Sequence, residues 1–327
     1  MRKEEFVRYL EQRGSSPDER EAAIAAIGEF EEFLLRRSET LESATTEAIS
    51  DYVSELIDKG QNSIECLLAL ARYAYLINNH ALYVYLVGVV GGYTVLPSLA
   101  ARTAEIAGEA TRDTVFAGLK IPPLGSAQNR YPGVTQEMID RLRSCLPEET
   151  CKDILAGNHH QVPVEKFEAY HQAYRESGVD GLLRFRHESL VSDLQAHARN
   201  GKPWYEQKIT PEVVEFVRRN PEIQAGVRDG NSIFVTKIPY APTEYLRETD
   251  PVLKRYHMCH CPLARASILD ESTPVSPLFC YCSGGYEKLA FDVVFGEPVR
   301  VTVVNSALAG DLVCRFRIDI PTDVGVR

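Results

Sequence analysis

The first 115 residues or so place apolar and polar side chains with the period of an α-helix. Ser16, Pro17 and Glu19 form a helix start, with Ser16 as N-cap, Pro17 at the first helical position and Glu19 closing a capping box. Another helix is predicted to begin with Thr46 as its cap and to end at Gly60. The inward positions of the two helices are Ile24, Ile27, Phe30, Phe33 and Leu34, then Ile49, Tyr52, Val53 and Leu56. This segment is therefore predicted to be all-helical.

Helical patterns continue after an interruption. Residues 120–134 are rich in Pro, Gly and polar side chains and predict a linker. Further helices are predicted over residues 135–146, 148–155, 164–176 and 182–199, and one more begins at Pro211.

The pattern changes to strands after Gly226. The predicted strands are NSIFVTKI (231–238), LAFDVVFG (289–296), VRVTVVNSA (299–307) and DLVCRFRIDI (311–320), of which the last two form a hairpin. In the final strand Leu312, Cys314, Phe316 and Ile318 share the apolar face. The predicted fold class is α+β: a helical domain (1–119), a linker (120–134) and an α+β domain with an antiparallel sheet (135–327).

Charge limits the partners. The chain of 327 residues carries a formal net charge of −10, and no run of Lys or Arg exceeds two residues. An acidic surface repels phosphate backbones, so nucleic acid is not expected as a partner. The charged start Met1-Arg-Lys-Glu-Glu does not resemble a signal peptide, which favours a cytoplasmic location with reduced thiols.

Residues 73–101 contain no Asp, Glu, Lys or Arg and are long enough to cross a membrane. Gly88, Gly91, Gly92 and Pro97 interrupt this stretch. We therefore expect buried core helices or a subunit interface, with no membrane span. A homodimer formed through the helical domain would be one such interface.

Two Cys-x-Cys pairs, Cys259/Cys261 and Cys280/Cys282, lie 21 positions apart and contain half of the eight cysteines. Four thiolates can surround one tetrahedral zinc ion, or less typically hold an iron–sulfur cluster. His257 or His260 could replace one sulfur as a metal ligand. The remaining cysteines, Cys66, Cys145, Cys151 and Cys314, are expected to be small hydrophobic side chains.

A thiol-only site is the open alternative to a metal. In that case Cys261 or Cys282 supplies the nucleophile, and His257 or His260 lowers the thiol pKa or acts as a base. The candidate catalytic residues are therefore Cys261, Cys282 and His257. The candidate metal ligands are Cys259, Cys261, Cys280, Cys282 and His260.

The motifs CHCP (259–262), CYCSGGYEK (280–288) and VNSALAGDLVCRFRI (304–318) carry a resemblance. Residues 186–321 resemble an uncharacterised Cys-rich family of bacteria and archaea. That family is similar to the L-2-amino-thiazoline-4-carboxylic acid hydrolase domain and, remotely, to the 4-vinyl reductase domain. The resemblance implies an α+β small-molecule domain. The hydrolase would open a cyclic C=N–S compound with water, and the reductase-type domains can hold zinc. Cys259 and Cys280 depart from the hydrolase pattern as additional cysteines.

The helical order of FVRYLEQRG, AIGEFEEFLL and the segment 45–76 resembles the small core-binding (SAM-like) domain of tyrosine recombinases. The first 110 residues, however, hold 18 Asp and Glu against 10 Lys and Arg, the wrong sign for a DNA clamp. The recombinase catalytic set is missing as well. This domain is therefore expected to pack or dimerise.

Two functions follow from these patterns. The first is a small-molecule enzyme, hydrolase-like, that acts on its substrate through the Cys/His metal or thiol site. The alternative is a non-catalytic zinc-binding or small-ligand-sensing protein whose helical domain contacts a partner.

Overall fold

A computed structural model describes residues 1–322 of the chain. It divides into two compact units. The N-terminal unit contains Met1–Tyr93 and Ile121–Arg130, and the C-terminal unit contains Thr94–Lys120 and the chain from Tyr131 onward.

The N-terminal unit is all-helical, as predicted. Its helices are α1 (Lys3–Glu11), α2 (Pro17–Arg36), α3 (Thr46–Asp58), α4 (Ile64–Leu76) and α5 (His80–Val90). The capping box at the start of α2 is confirmed, because Ser16 Oγ accepts from the Glu19 amide while Glu19 accepts from the Ser16 amide. The N-cap of α3 is Thr45 and not Thr46, since the Thr45 hydroxyl accepts from the Ala48 amide. All nine predicted inward side chains of α2 and α3 are buried or partly buried.

Helices and loops between residues 94 and 130 alternate between the two units. The predicted domain boundaries at residues 119 and 135 stay a prediction. Helices α6 (Val95–Ala107) and α7 (Glu109–Phe116) belong to the C-terminal unit, because Leu99 and Val115 share one core with residues of that unit. The predicted linker is split. Its residues 121–130 belong to the N-terminal unit, where Leu124 packs on the core and its carbonyl accepts from Asn62 at 2.8 Å. The pattern of apolar residues shows where the helical period is interrupted, but tertiary packing decides which hydrophobic core each helix joins.

The uncharged stretch forms α5 and α6, separated by a turn at residues 91–94. Among the described residues, His80–Ala107 is the one stretch long and apolar enough to cross a membrane by length and composition. One such stretch is weak evidence in either direction, so the absence of a membrane span stays a prediction.

After α6 and α7, the described part of the C-terminal unit contains seven more α-helices. They are α8 (Pro132–Cys145), α9 (Glu148–Leu155), α10 (Glu168–Asn200), α11 (Pro211–Arg219), α12 (Pro242–Arg247), α13 (Pro251–Met258) and α14 (Cys280–Phe295). Helix α10 joins two predicted helices across a kink at Gly178, which has a φ of 65°.

Four antiparallel strands form one sheet in the order β1-β2-β4-β3. They are β1 (Val227–Asp229), β2 (Ser232–Thr236), β3 (Val301–Asn305) and β4 (Arg315–Asp319). The predicted β3–β4 hairpin is confirmed, with Val303 opposite Phe316. Phe316 and Ile318 are buried as predicted, and Cys314 is buried just before the strand, whereas Leu312 is 42% exposed. The fold class is α+β, with this sheet in the C-terminal region.

The prediction of a strand at residues 289–296 is wrong, because these residues form the second half of α14. Leu289, Ala290, Phe291 and Val294 are all buried, so the run is apolar on more than one face and lacks the helical period. Gly296, in the left-handed conformation with a φ of 74°, ends the helix.

Gly284 and Gly285 let α14 pack closely on both sides. A Cβ at Gly284 would lie 3.3 Å from the methyl groups of Val301 on β3. A Cβ at Gly285 would lie 2.5 Å from the carbonyl carbon of Ala156 and 2.6 Å from the carbonyl oxygen of Gly157. The two glycines therefore fix the depth at which the first turns of α14 are seated.

Candidate functional site

The second Cys-x-Cys pair lies in the first turn of α14. Ser276 caps the short 3-10 turn Pro277–Phe279, from which the helix continues at Cys280. Successive helical side chains rotate by about 100°, so Cys280 and Cys282 leave the helix about 200° apart.

The first pair follows α13. Asp250 caps that helix by accepting from the amides of Val252 and Leu253, and Cys259 terminates it in an extended conformation. The Cys261 amide is hydrogen-bonded to the Cys259 sulfur, and the Leu263 amide to the Cys261 sulfur. Donors aimed at sulfur stabilise negative charge there.

Five buried or partly buried cysteines are linked to one another because the charge of one thiol would affect the pKa of another. We call them the thiol cluster: Cys259, Cys261, Cys280, Cys282 and Cys314. Cys314 lies in the connection between β3 and β4, directly before β4, and the Ala307 amide is hydrogen-bonded to its sulfur. The Ser306 hydroxyl is hydrogen-bonded to the Cys280 sulfur. The prediction that Cys314 is a buried core residue is confirmed, since it is buried in the apolar core of the C-terminal unit.

Burial dominates the titration of the thiol cluster. It raises the pKa of Cys282 and of Cys314 to about 12, and raises that of Cys261 and Cys280 well above the ordinary value. The pKa of Cys259 is raised for the same reason. The five thiols are therefore protonated near neutral pH in the ligand-free chain.

Within residues 1–322, no group of three or more His, Cys, Asp or Glu side chains is arranged to hold a metal ion. The helical placement of Cys280 and Cys282 gives the reason, because two side chains about 200° apart cannot converge on one ion without rearrangement. Whether the chain binds zinc stays a prediction.

Lys237 lies next to the thiol cluster, directly after β2. Its Nζ is 3.1 Å from Glu287 Oε1 and donates to Ser283 Oγ at 3.2 Å, both on α14. The side chains of Lys237 and Glu287 are only 8% and 3% exposed. Burial is the largest single effect and lowers the pKa of Lys237, but the opposing effects of its neighbours, led by the Glu287 carboxylate, together outweigh it, so this pKa is raised and the ammonium stays charged. The same ammonium lowers the pKa of Cys282, against the larger effect of burial.

Two aromatic rings border the same region. Lys237 Nζ lies 5.0 Å from the centre of the Tyr286 ring, and His160 meets that ring edge-on at 5.5 Å. Tyr286 is 39% exposed, so the region reaches the protein surface there. Burial, and then the charge of Lys237, lower the pKa of His160 to about 4. We call Lys237, Glu287, Ser283, Tyr286 and the adjoining thiols the lysine–thiol site.

His260 has a defined tautomer. Burial lowers its pKa well below the ordinary value, so the ring is neutral at pH 7. Nε2 lies 2.6 Å from the Ile238 carbonyl oxygen and must donate to it, which leaves the lone pair on Nδ1. A neutral histidine whose other nitrogen is held by a carbonyl is the usual form of a metal ligand.

His257 and His159 are placed elsewhere. His257 Nε2 is 4.0 Å from Glu248 Oε2 on the α12–α13 connection, and its pKa is lowered by burial and by Arg265. His159 is a satisfied core histidine, since Nε2 donates to the Ile154 carbonyl and Nδ1 accepts from Ser98. The candidate roles of His257 and His260 remain predictions.

Lys237, Glu287 and Ser283 were missed by the sequence analysis. The sequence does show that both charged residues stand next to apolar segments. Lys237 ends an alternating strand, and Glu287 precedes the apolar half of α14. Gly284 and Gly285 serve the close packing of α14.

Residues 210–324 match a family described as a family of unknown function, DUF6144. This segment is about a third of the chain and contains the five cysteines of the thiol cluster together with Lys237 and Glu287. No curated protein and no solved structure shows a significant match to the chain.

Proposed function

We propose that the C-terminal unit is a small-molecule enzyme of the hydrolase type, and that the lysine–thiol site is its reaction centre. The observation that carries this proposal is the buried Lys237 ammonium, which Glu287 and Ser283 hold in place and whose charge lowers the pKa of the Cys282 thiol against the larger effect of burial. A buried charge is costly unless it is paired, so a fixed ammonium at a group of thiols needs a cause. Stabilising negative charge that develops on sulfur or substrate is such a cause.

The protonation state of Cys282 limits the chemistry. Because its pKa is about 12, the sulfur would enter the reaction as a thiol and not as a preformed thiolate. A substrate with a polarised C=N bond can accept both the sulfur and the proton of a thiol. The sulfur forms a bond to carbon while the thiol proton passes to nitrogen.

Water completes the cycle. After the leaving group has departed, water adds its oxygen to the carbon that is bound to Cys282. The C–S bond then breaks as the C=O bond forms, and the hydroxyl proton returns to the sulfur. Lys237 stabilises the sulfur whenever its bond or proton is partly lost, because charges in a dry site interact strongly. The net reaction adds one water and needs no oxidant or reductant.

The test is hydrolysis of a panel of cyclic and open C=N compounds, with five-membered C=N–S rings first, followed by mass spectrometry of the products. Cys282→Ala should lower the rate by a factor on the order of a thousand or more, and Lys237→Met by roughly a hundredfold. Cys145→Ala is the matched control, because Cys145 is an exposed thiol outside the site. A rate that survives Cys282→Ala would overturn the proposal.

The second candidate is the non-catalytic zinc-binding or ligand-sensing module. It is favoured by the His260 tautomer and by the amides that donate to the Cys259 and Cys261 sulfurs. Metal analysis of untagged protein, with Cys261→Ser beside it, tests this candidate. About one zinc per chain, lost in the variant, supports it. No metal in either sample removes it.

A further inference from the structure

Arg186, on the second part of α10, is a charged side chain in the interior of the C-terminal unit. Only 7% of the residue is exposed, and its Nη2 donates to the Gln224 carbonyl oxygen at 2.6 Å. Within residues 1–322, Nε and Nη1 are buried and have no hydrogen-bond partner from the protein. Glu287, the carboxylate whose charge acts on this guanidinium, is paired with Lys237 at 3.1 Å. Buried donors are costly when they stay unbonded, so these N–H groups need an acceptor.

Two aromatic rings limit the direction from which an acceptor can reach Arg186. The guanidinium carbon lies 5.0 Å from the centre of the Tyr170 ring and 4.6 Å from the centre of the Phe291 ring. Rings placed over a guanidinium leave its edge open, and the N–H groups point outward along that edge. A planar group that ends in oxygen atoms matches such an edge.

The carbonyl group that orients Arg186 belongs to a strained residue. Gln224 has a φ of 58°, in the left-handed region that residues with a Cβ rarely adopt. Its amide donates to the Thr236 carbonyl at 2.8 Å, and its side-chain oxygen accepts from the Ile238 amide at 3.2 Å. Such strain persists only where the surrounding structure fixes it. Gln224 therefore holds the guanidinium in one orientation next to the end of β2.

A lightly packed segment covers this guanidinium. None of residues 163–177, which we call the covering segment, is fully buried. Two of its rings contact the interior: Tyr170 lies over Arg186, and Tyr174 meets Phe295 of α14 edge-on at 5.5 Å. The segment ends at Gly178, whose φ of 65° and ψ of −166° are open almost only to glycine. Few buried contacts and a glycine at the joint are what a segment that opens requires.

We infer that Arg186 is the anchor of a binding site for a small molecule with a carboxylate group. The inference does not depend on the proposed function. The carboxylate oxygens accept hydrogen bonds from the unpartnered N–H groups, and the ligand enters when the covering segment moves about Gly178. Arg186, Lys237 and Glu287 together carry one net positive charge, which matches a monoanion. A phosphate dianion would lose more hydration for the same single charge.

The test is the thermal stability of the full chain when sodium acetate replaces sodium chloride at constant ionic strength. Acetate at about 100 mM should raise the Tm of the wild type by roughly 3–10 °C, for a Kd on the order of 1–10 mM. Arg186→Lys keeps the charge but lacks the planar set of N–H groups, so it should lose most of that rise. Arg184→Lys is the matched control and should keep the rise, because Arg184 is an exposed arginine on the same helix. Acetamide, which has the same shape without the charge, should not stabilise the wild type.

Hydrogen exchange of the backbone amides locates the effect. Acetate, but not acetamide, should slow exchange in residues 168–177 of the wild type by roughly threefold or more, since a bound ligand favours the closed covering segment. This comparison needs only the wild type, so it decides the question even if Arg186→Lys does not fold.

A wild type whose Tm and exchange do not respond to acetate overturns the inference, as does an Arg186→Lys variant that responds like the wild type. Inorganic phosphate that raises the Tm as much as acetate does would overturn the assignment to a carboxylate. Neither measurement uses hydrolysis, so the outcome is separate from that of the proposed function.

Discussion

Replacing Gly285 with alanine tests the seating of α14 on which the site depends. The added Cβ would lie 2.5 Å from the Ala156 carbonyl carbon and 2.6 Å from the Gly157 carbonyl oxygen, about 0.9 Å inside the shortest ordinary contact. Both are backbone atoms, so relief requires the helix or the 156–157 segment to move. Overpacking costs about 1–3 kcal/mol, and backbone contacts favour the upper end.

The helix gains about 1 kcal/mol when alanine replaces glycine. The net effect of Gly285→Ala should therefore be a loss of about 2 kcal/mol in the free energy of unfolding. For a unit of this size that loss lowers Tm by roughly 4–8 °C. In Gly284→Ala the added Cβ would lie 3.3 Å from the methyl groups of Val301 and 3.5 Å from the Phe316 ring, which are side-chain contacts, so this change should be nearly neutral. Gly133→Ala, in the first turn of α8 with nothing within 4 Å, is the matched control and should not destabilise.

Urea unfolding followed by Trp204 fluorescence is the assay. Trp204 is the only tryptophan and lies in the C-terminal unit, so its signal reports the unit that contains α14. Gly285→Ala with the stability of Gly133→Ala would refute the argument that backbone contact at this glycine sets the depth of the helix.

Three further results are expected. Lys237→Met should destabilise the chain by about 3–5 kcal/mol, because it strands the Glu287 carboxylate, and adding Glu287→Gln should recover part of that loss in a double-mutant cycle. Stability should fall as pH rises above about 9, because the Cys282 thiol of the unfolded chain ionises near its ordinary pKa whereas that of the folded chain stays protonated up to about 12. Cys282→Ala should reduce this dependence of stability on pH, and Cys145→Ala should not. Stability should also fall as pH drops from about 6.5 towards 4. Burial lowers the pKa of His159 to about 4, so the unfolded chain binds a proton at this histidine at a higher pH than the folded chain does. His159→Asn should reduce that dependence in acid unfolding curves.

Local signals determined the elements whose causes lie within a few residues. The capping box at Ser16 needs only the side chain three positions on, and α9 begins and ends as its pattern predicts. Strand β2 and the β3–β4 hairpin follow from alternation and a turn. The clustering of Cys259, Cys261, Cys280 and Cys282 in sequence also indicated where chemistry would be found, although not its kind.

The tertiary structure decided what depends on packing between distant residues. Lys237 and Glu287 are 50 positions apart, and no local pattern shows that they pair until β2 and α14 are brought together. The apolar run 289–295 lies in a helix that is buried on more than one face, and periodicity cannot distinguish such a helix from a buried strand. That same helix turns Cys280 away from Cys282, and the hairpin brings Cys314 to the thiol cluster. The sequence by itself determined which residue types lie near one another along the chain. The directions of the cysteine side chains were set by the burial of the α14 faces, because side-chain direction follows from the secondary-structure element and its packing and not from the spacing of residues.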